Sequence, residues 1–332
     1  MNLVTGANGL LGSRLVYDLI MQGNQVRALK RPGADLSLVK KYFAGVPGLF
    51  NKIEWAEGDV LDVFSIEKAL EQVSHVYHCA AMVSFDSSDY DAMMLVNVTG
   101  TANVVNLCLE KKITKLCHAS SVAAIGRALD NETITEDTQW QTSRHNSTYA
   151  ISKYGAEREV WRGVAEGLDA VIVNPTIILG RGSWEEGSSS MIRKLHEGLR
   201  FYTRGVNGFV DVNDVSSIMI RLMESNIKNE RFILHSENLS YYDFFSMAAG
   251  FLNKTPPSYL AGPMLSGIAW RLEKLKSMFT GKKPLVTRET ARTANNRYFY
   301  NSSRIREKLN FSFTPLAKTV ERVCLEYLSE KT

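Results

Sequence analysis

The stretch Thr5-Gly6-Ala7-Asn8-Gly9-Leu10-Leu11-Gly12 follows a short apolar run, Asn2-Leu3-Val4, and opens a helical pattern that continues to Met21. A turn between strand and helix can carry a dinucleotide if its backbone approaches the pyrophosphate, which glycine permits because it has no Cβ. The helix that follows then presents its first amides to the phosphates. Gly6, Gly9 and Gly12 fit those roles, with Asn8 and Leu10 between them as further cofactor contacts. The spacing is G-x-x-G-x-x-G rather than G-x-G-x-x-G, and a generic glycine-rich turn would look the same in isolation. What sets it apart is the chain behind it.

Up to about Pro175, short apolar runs alternate with amphipathic segments. Strands are predicted near 2–4, 25–30, 52–56, 75–80, 115–120 and 169–174, and helices near 9–21, 65–72, 90–111 and 149–166. That alternation predicts an α/β protein, a doubly wound parallel sheet of the Rossmann type. Beyond Pro175 it fails. Gly180 to Gly187 is rich in glycine and serine, and the apolar clusters Phe209-Val210 and Phe232-Ile233-Leu234 stand apart. The expected organisation is a dinucleotide-binding domain of residues 1–175 plus about 209–235, its last two segments returning to the sheet. A smaller, discontinuous substrate lobe takes about 176–208 plus 236–332.

The chain has 332 residues, 45% of them hydrophobic, and a net charge of +4. That is ordinary globular composition with scattered basic residues, and it argues against a nucleic-acid partner. Cys79, Cys108, Cys117 and Cys324 form no CxxC pair and have no histidine at zinc-ligand spacing, so no metal site is expected and the thiols read as reduced. The first strand starts at Asn2 with no leader pattern before it, and a cytoplasmic location is the expectation. The uncharged stretch Pro256 to Trp270 is too short and too broken to span a membrane. Basic residues follow it (Arg271, Lys274, Lys276, Lys282, Lys283), which suits a solvated face and leaves a membrane-surface helix as the alternative.

The end of the second strand distinguishes the two nicotinamide cofactors. An acid there grips the ribose diol, whereas a base accepts the extra phosphate. The residues are Leu29-Lys30-Arg31, with no acid before Asp35, so Arg31 is the expected phosphate partner and NADP is favoured over NAD. The alternative is that both cations are merely solvated. Asp59 and Val60 follow the third strand, where an adenine would lie, although a turn-forming aspartate explains Asp59 as well. Cys79-Ala80-Ala81 follows the fourth, where small side chains would admit the cofactor's ribose.

Tyr149 and Lys153 stand one helical turn apart in Tyr149-Ala150-Ile151-Ser152-Lys153. A tyrosine titrates near 10 in water and needs a neighbouring cation to exchange its proton at neutral pH. Lys153, on the same helix face, is expected to acidify the phenol and also to hold the nicotinamide ribose. Ser121, at the end of the fifth strand, is the candidate for holding a carbonyl oxygen, with Ser120 as its rival. Asn97 is expected either to tie its helix to the sheet or to order a water near the lysine.

These residues, in this order, resemble the extended short-chain dehydrogenases/reductases. The resemblance rests on Thr5 to Gly12, Asp59, Asn97-Val98-Thr99-Gly100-Thr101, Ser121, Tyr149, Lys153 and Phe209-Val210-Asp211-Val212-Asn213-Asp214-Val215. Family dehydratases carry an Asp-Glu pair directly after the catalytic hydroxyl residue, where this chain has Val122-Ala123. Asn174-Pro175-Thr176-Ile177-Ile178-Leu179-Gly180 is more similar to the dihydroflavonol-reductase and aldehyde/ketone-reductase branch, which implies NADPH and places Pro175 and Ile178 at the nicotinamide pocket. An NADPH-dependent carbonyl reductase is the leading expectation; an NAD-dependent sugar-nucleotide epimerase and a non-catalytic NADP-binding redox sensor are the alternatives. Trp184, Met191, Phe201, Tyr202, Phe209 and Tyr241 are candidates for lining the substrate cleft, although lobe core accounts for any one of them at least as well, and Arg193, Arg200 and Arg204 leave a phosphorylated substrate open. The resemblance also implies a homodimer through the helices near 90–111 and 149–166.

Overall fold

A computed structural model describes residues 1–126, 132–143, 146–262 and 293–331, with a few single residues between 263 and 292. Among the described residues the strands are β1 (Asn2–Thr5), β2 (Val26–Lys30), β3 (Ile53–Glu57), β4 (His75–His78), β5 (Lys115–Ala119), β6 (Thr133–Ile134), β7 (Ala170–Pro175), β8 (Ile177–Leu179), β9 (Phe201–Tyr202), β10 (Val206–Asp211), β11 (Glu230–Leu234), β12 (Glu237–Ser240), β13 (Tyr259–Leu260) and β14 (Phe299–Tyr300). Seven form one sheet in the order β3-β2-β1-β4-β5-β7-β11, and every pairing in it is parallel. Both faces are covered. Leu15, Val16, Leu19, Ile218 and Met219 pack with Val4, Cys117 and Val173 on one side. Val104, Val105, Cys108 and Val160 pack with Leu3, Val76, Leu116 and Ile172 on the other. Burial on two faces is why these strands read as nearly continuous apolar runs.

The strand order reverses between β1 and β4, and at such a switch point the loops leaving the two strands part to open a crevice at their carboxyl ends. The glycine turn leaves β1 there and Cys79-Ala80-Ala81 leaves β4 there.

One expected strand lies elsewhere. Residues 231–235 do return to the sheet, as β11 beside β7, with Phe232 opposite Val173. The expected return of Phe209 to Val212 does not occur. β11 occupies the free edge of β7, so β10 pairs instead with β8 in parallel and β12 in antiparallel, forming a separate three-stranded sheet. The helix Val212–Glu224 then folds back beneath the main sheet, where Ser216 donates to Asp18 at 2.6 Å. The lobe has its own core, built from Leu179, Ile192, Phe209, Phe244, Leu316, Val320 and Tyr327.

The helical run Ser87–Glu110 is the one stretch among the described residues long and apolar enough to cross a membrane, and 44% of its apolar window is buried inside the molecule. The sequence pattern had directed attention to Pro256–Trp270 instead. Lys274, Lys276, Lys282 and Lys283 lie outside the described residues. Within Ser87–Glu110 the turns at Met94–Thr99 widen to π-helical geometry, and Asn97 sits in that widened segment.

Candidate active site

The glycine turn is locked in place by close backbone approach. Gly6 has φ +64°, and a Cβ there would lie 2.7 Å from the Ala80 nitrogen; one at Gly12 would lie 2.1 Å from the Gly6 carbonyl oxygen. Only glycine fits at either place. Gly9 is exposed and begins the helix Leu10–Met21, whose N-terminus no side chain caps. Its first amides, with their share of the helix dipole, are therefore left for an anion. A glycine cradle, an uncapped helix and the small residues Ala80 and Ala81 beside it fit a dinucleotide pyrophosphate. Asn8 donates to the Asp35 carbonyl at 3.3 Å, tying this turn to the loop after β2.

At the end of β2 the two cations separate in role. Lys30 is bound to Glu57, its cross-strand neighbour on β3, at 2.5 Å. Arg31 is exposed; its carbonyl accepts from the Ala34 amide at 3.1 Å, and its guanidinium has no hydrogen bond or ion pair among the described residues. The Asp35 carboxylate is held by the backbone and hydroxyl of Ser37 at 2.8 and 2.7 Å, and these bonds lower its pKa. On the adenine side, Asp59 accepts from the Leu61 amide at 2.9 Å, the turn role considered for it, and Val60 is buried against Gly100.

A buried chain of hydrogen bonds joins the glycine turn to the helix that carries Tyr149 and Lys153. The Ala80 amide donates to Thr5 Oγ1 at 3.2 Å, Thr5 Oγ1 meets His78 Nδ1 at 2.8 Å, His78 Nε2 meets Thr101 Oγ1 at 2.9 Å, and Thr101 donates to the Asn97 carbonyl at 2.6 Å. Because Thr101 spends its hydrogen on that carbonyl, the imidazole donates from Nε2 and accepts at Nδ1. It is neutral: burial first, then the nearby Lys153 charge, brings its pKa down to about 3. Asn97 closes the chain, accepting from the Met82 amide at 2.7 Å and donating to the Met82 carbonyl and Ser152 Oγ, each at 2.9 Å. Of its two expected roles, the tie is the one these bonds display.

Tyr149 and Lys153 lie on the helix Thr148–Ala165, which Ser147 caps by accepting from the Ala150 amide at 3.0 Å. The Ser121 hydroxyl acts on the Tyr149 phenol as a hydrogen-bonding neighbour that favours phenolate, but burial outweighs it and raises the phenol's pKa. The expected acidification by Lys153 is absent from this geometry. Lys153, itself buried, donates Nζ to the Ala119 carbonyl at 2.8 Å at the end of β5, and burial brings its own pKa down to about 8. The amine is thus aimed at the strand end.

Sequence reasoning missed Glu157, one turn beyond Lys153. It is buried and accepts four hydrogen bonds: Ser120 Oγ and Asn174 Nδ2 at 2.7 Å each, Arg231 at 3.0 Å and Trp161 at 3.3 Å. Asn174 also donates to the Ser121 carbonyl at 3.0 Å. Ser120, the rival for the catalytic hydroxyl, is therefore committed to Glu157, which leaves Ser121 facing Tyr149. The continuation of the Tyr149, Lys153 spacing to a carboxylate at 157 was the available signal.

Pro175 is buried at the end of β7 and Ile178 is half-buried on β8. Several of the candidate cleft residues are lobe core, the alternative that stood open for each of them. Phe209 stacks on Phe244 at 4.8 Å, Trp184 packs edge-on to Tyr327 and donates to Glu330 at 2.7 Å, and Met191 and Tyr241 pack around the same cluster. An independent lobe needs its own apolar centre, and these residues supply it. Arg193 is committed to the Trp184 carbonyl and to Glu197. Phe201 and Tyr202 form an aromatic ribbon with Tyr259 and Tyr242.

A parallel sheet with a glycine cradle at its switch point, and serine, tyrosine and lysine gathered at the neighbouring strand end, defines the extended short-chain type of NAD(P)-dependent oxidoreductase. The chain belongs to the NAD-dependent epimerase/dehydratase family, whose model matches residues 2–234. It is 30% identical over 315 residues, 92% of each chain, to a Methylococcus capsulatus protein named sterol demethylase protein B. A putative dihydroflavonol 4-reductase of Synechocystis is 27% identical over 92% of this chain and 88% of the relative. Among solved structures, gox2253 superposes with a TM-score of 0.82 at 28% identity, covering 100% of this chain and 98% of that one.

Proposed function

We propose that this chain reduces the carbonyl of a small-molecule ketone or aldehyde at the expense of NADPH. Ser121 holds the carbonyl oxygen and Tyr149 protonates it. The observation that carries the reading is that Tyr149 and Lys153 lie one turn apart on the helix Thr148–Ala165 at the carboxyl end of β5, where Lys153 donates to the Ala119 carbonyl at 2.8 Å and Ser121 neighbours the phenol. In the reductive direction the phenol must carry its proton at neutral pH, and burial ensures that it does. Departure of that proton leaves a phenolate, and the Lys153 ammonium stabilises it by turning from the Ala119 carbonyl that it meets in the resting site. The nicotinamide, when bound, supplies the hydride. Gly6, Asn8, Gly9, Leu10 and Gly12 would hold its pyrophosphate, Asp59 and Val60 its adenine, Cys79, Ala80, Ala81 and Lys153 its ribose side, and Pro175 and Ile178 its nicotinamide face. Arg31, the unpaired cation at the end of β2, favours the 2′-phosphate of NADP.

Two experiments test this. Turnover of a carbonyl panel with NADPH falls at least 100-fold in Tyr149→Phe, and undiminished turnover would refute the assignment. Binding titrations of NADPH and NADH to wild type and Arg31→Asp invert in preference; an unchanged preference would remove Arg31 from the phosphate site. The apolar exposed Tyr90 and Leu95 on Ser87–Glu110 support a homodimer through this helix, which a monomeric mass by light scattering would exclude.

A further inference from the structure

The C-terminal helix, Leu316–Ser329, ends on Glu330, whose side chain is 17% exposed. A carboxylate is disfavoured at the negative end of a helix dipole, so donors from elsewhere must hold it there. They come from two other elements. Its Oε2 accepts from Lys41 Nζ at 2.6 Å and from Trp184 Nε1 at 2.7 Å, and its Oε1 faces Arg181 Nε at 3.3 Å. Lys41 belongs to the helix Ser37–Tyr42, whereas Arg181 and Trp184 belong to the loop after β8. Tyr42 joins the same two elements by donating to the Arg181 carbonyl at 3.4 Å. Both elements lead on to the glycine turn. In the loop, a Cβ added at Gly180 would lie 3.3 Å from Leu10 Cδ1 and one at Gly182 would lie 3.2 Å from it, so this backbone packs on the residue that opens the uncapped helix. Ahead of the helix Ser37–Tyr42, the Ser37 amide and hydroxyl hold the Asp35 carboxylate, and the Asp35 carbonyl accepts from Asn8 Nδ2 at 3.3 Å. Asn8 and Leu10 flank Gly9, so the two routes from Glu330 end on either side of the turn's middle glycine.

We infer that Glu330 is a positioning residue for the dinucleotide: it clamps the loop after β8 and the segment after β2 against one another, and so holds both flanks of the glycine turn in place around the pyrophosphate. It acts at a distance, through Leu10 and Asn8. A clamp of this kind slows the departure of a bound nucleotide more than its arrival, because encounter precedes the final contacts. The inference goes beyond the carbonyl-reductase reading and does not need it, since it concerns the hold on the dinucleotide and not the substrate.

Stopped-flow fluorescence with NADPH and NADH measures association and dissociation rates for wild type, Glu330→Ala, Glu330→Gln and Lys41→Met, and the nucleotide that wild type binds more tightly serves for all comparisons. Glu330 accepts charge-assisted bonds from both elements, so Glu330→Ala should raise the dissociation rate about tenfold while association stays within about twofold. Lys41→Met removes one partner, itself 44% exposed, and should raise dissociation by about two- to fourfold. Made on top of Glu330→Ala, the lysine replacement should add nothing, because its partner is already gone. Melts of the cofactor-free proteins set a temperature at which each is folded; if Glu330→Ala does not fold, Glu330→Gln and Lys41→Met decide. Earlier melting with an unmoved dissociation rate would overturn the inference and leave Glu330 a tie between lobe and sheet. So would a loss carried by association alone, or effects of the two replacements that multiply. A wild type that binds neither nucleotide would overturn it together with the cofactor assignment. No carbonyl enters the assay, so failure of the reductase reading leaves the clamp standing, and failure of the clamp leaves that reading standing.

Discussion

Glu157→Gln should move the pH dependence of the reaction without touching substrate. In the wild type, burial lowers Lys153 to about 8 and Glu157 is the first of the opposing influences, holding the proton on. Residues four apart on a helix have Cβ atoms about 5–6 Å apart. At an effective dielectric near 20, two unit charges at that separation interact by about 3 kcal/mol. That is roughly two pH units, and the Arg231 guanidinium, 3.0 Å from the carboxylate, offsets part of it. The expected displacement is about one unit. A reaction that needs the ammonium loses activity as pH rises through the lysine's pKa, so the falling limb near pH 8 in wild type should move toward 7 in Glu157→Gln. The background is quiet, because the other titratable groups facing Lys153 hold one protonation state across the range. His78 is down near 3, His118 well below its usual value, Cys79 up at about 12, and Tyr149 above its ordinary value, all chiefly through burial. The assay is kcat/KM from pH 6 to 10 at saturating NADPH, with thermal melts to confirm folding. Arg231→Met supplies a control of opposite sign: with its counter-charge removed, Glu157 acts fully on Lys153 and the limb moves up. A uniform fall in rate with an unmoved limb in both variants would refute the coupling and leave Glu157 a purely structural residue. Removing one member of such a buried pair costs about 3–5 kcal/mol of stability, so both variants should also melt earlier.

Further outcomes follow from the same geometry. Gly12→Ala puts a methyl carbon 2.1 Å from the Gly6 carbonyl, and both clashing groups are backbone, so the turn must open; stability should fall by about 1–3 kcal/mol in a denaturant titration and NADPH affinity by tenfold or more. Unchanged affinity would show that the turn does not hold the pyrophosphate. His78 and His118 are buried neutral, with folded pKa values far below 6.5, so the unfolded chain gains protons first as the pH drops. Stability is intact above 6.5 and declines below it, by about 2 kcal/mol between pH 7 and 5 for His78, with His118 adding in the same direction. Replacing either histidine should flatten that slope in urea melts at the two pH values; an unaltered slope would mean the carboxylates govern it.

The parts of the fold that repeat a local rule were legible in the residues. The glycine turn, its flanking strand and helix, and six parallel strands all announce themselves by period and composition, because a strand covered on both faces must be apolar throughout. The destination of β10 was not legible. Phe209-Val210 has the same composition whether it joins the main sheet or the lobe, and the choice is made by which segment takes the edge of β7. The aromatic residues of the lobe stay undecided in the sequence for a related reason: Phe209 and Trp184 are equally apolar as core or as cleft, and only packing tells them apart. The contact of the Phe85 ring with the Tyr149 ring, centroids 5.9 Å apart, is not legible in the sequence because its surroundings, Ser84, Asp86 and Ser88, read as an ordinary polar loop. Nothing local signals that Asn97, fifteen residues from Met82, will hold that loop against the tyrosine.

The helix Thr148–Ala165 shows why three residues at one spacing can share a task yet differ in visibility. Tyr149, Lys153 and Glu157 fall on one face, each a turn deeper along the sheet, and their environments are graded. The phenol lies at the mouth with Ser121 and Phe85, the amine beneath a strand-end carbonyl, and the carboxylate among Ser120, Asn174 and Arg231. A proton leaving the phenol creates negative charge at the top of this column, and the ammonium in the middle meets it. That ammonium stays charged in a dry site only while a carboxylate lies below, and the carboxylate is tolerable there only because a guanidinium from β11 meets it. On the proposed mechanism, strand β11 bears on proton transfer through the hold of Arg231 on Glu157. This dependence explains why Arg231, unremarkable in the sequence, belongs to the same unit as Tyr149.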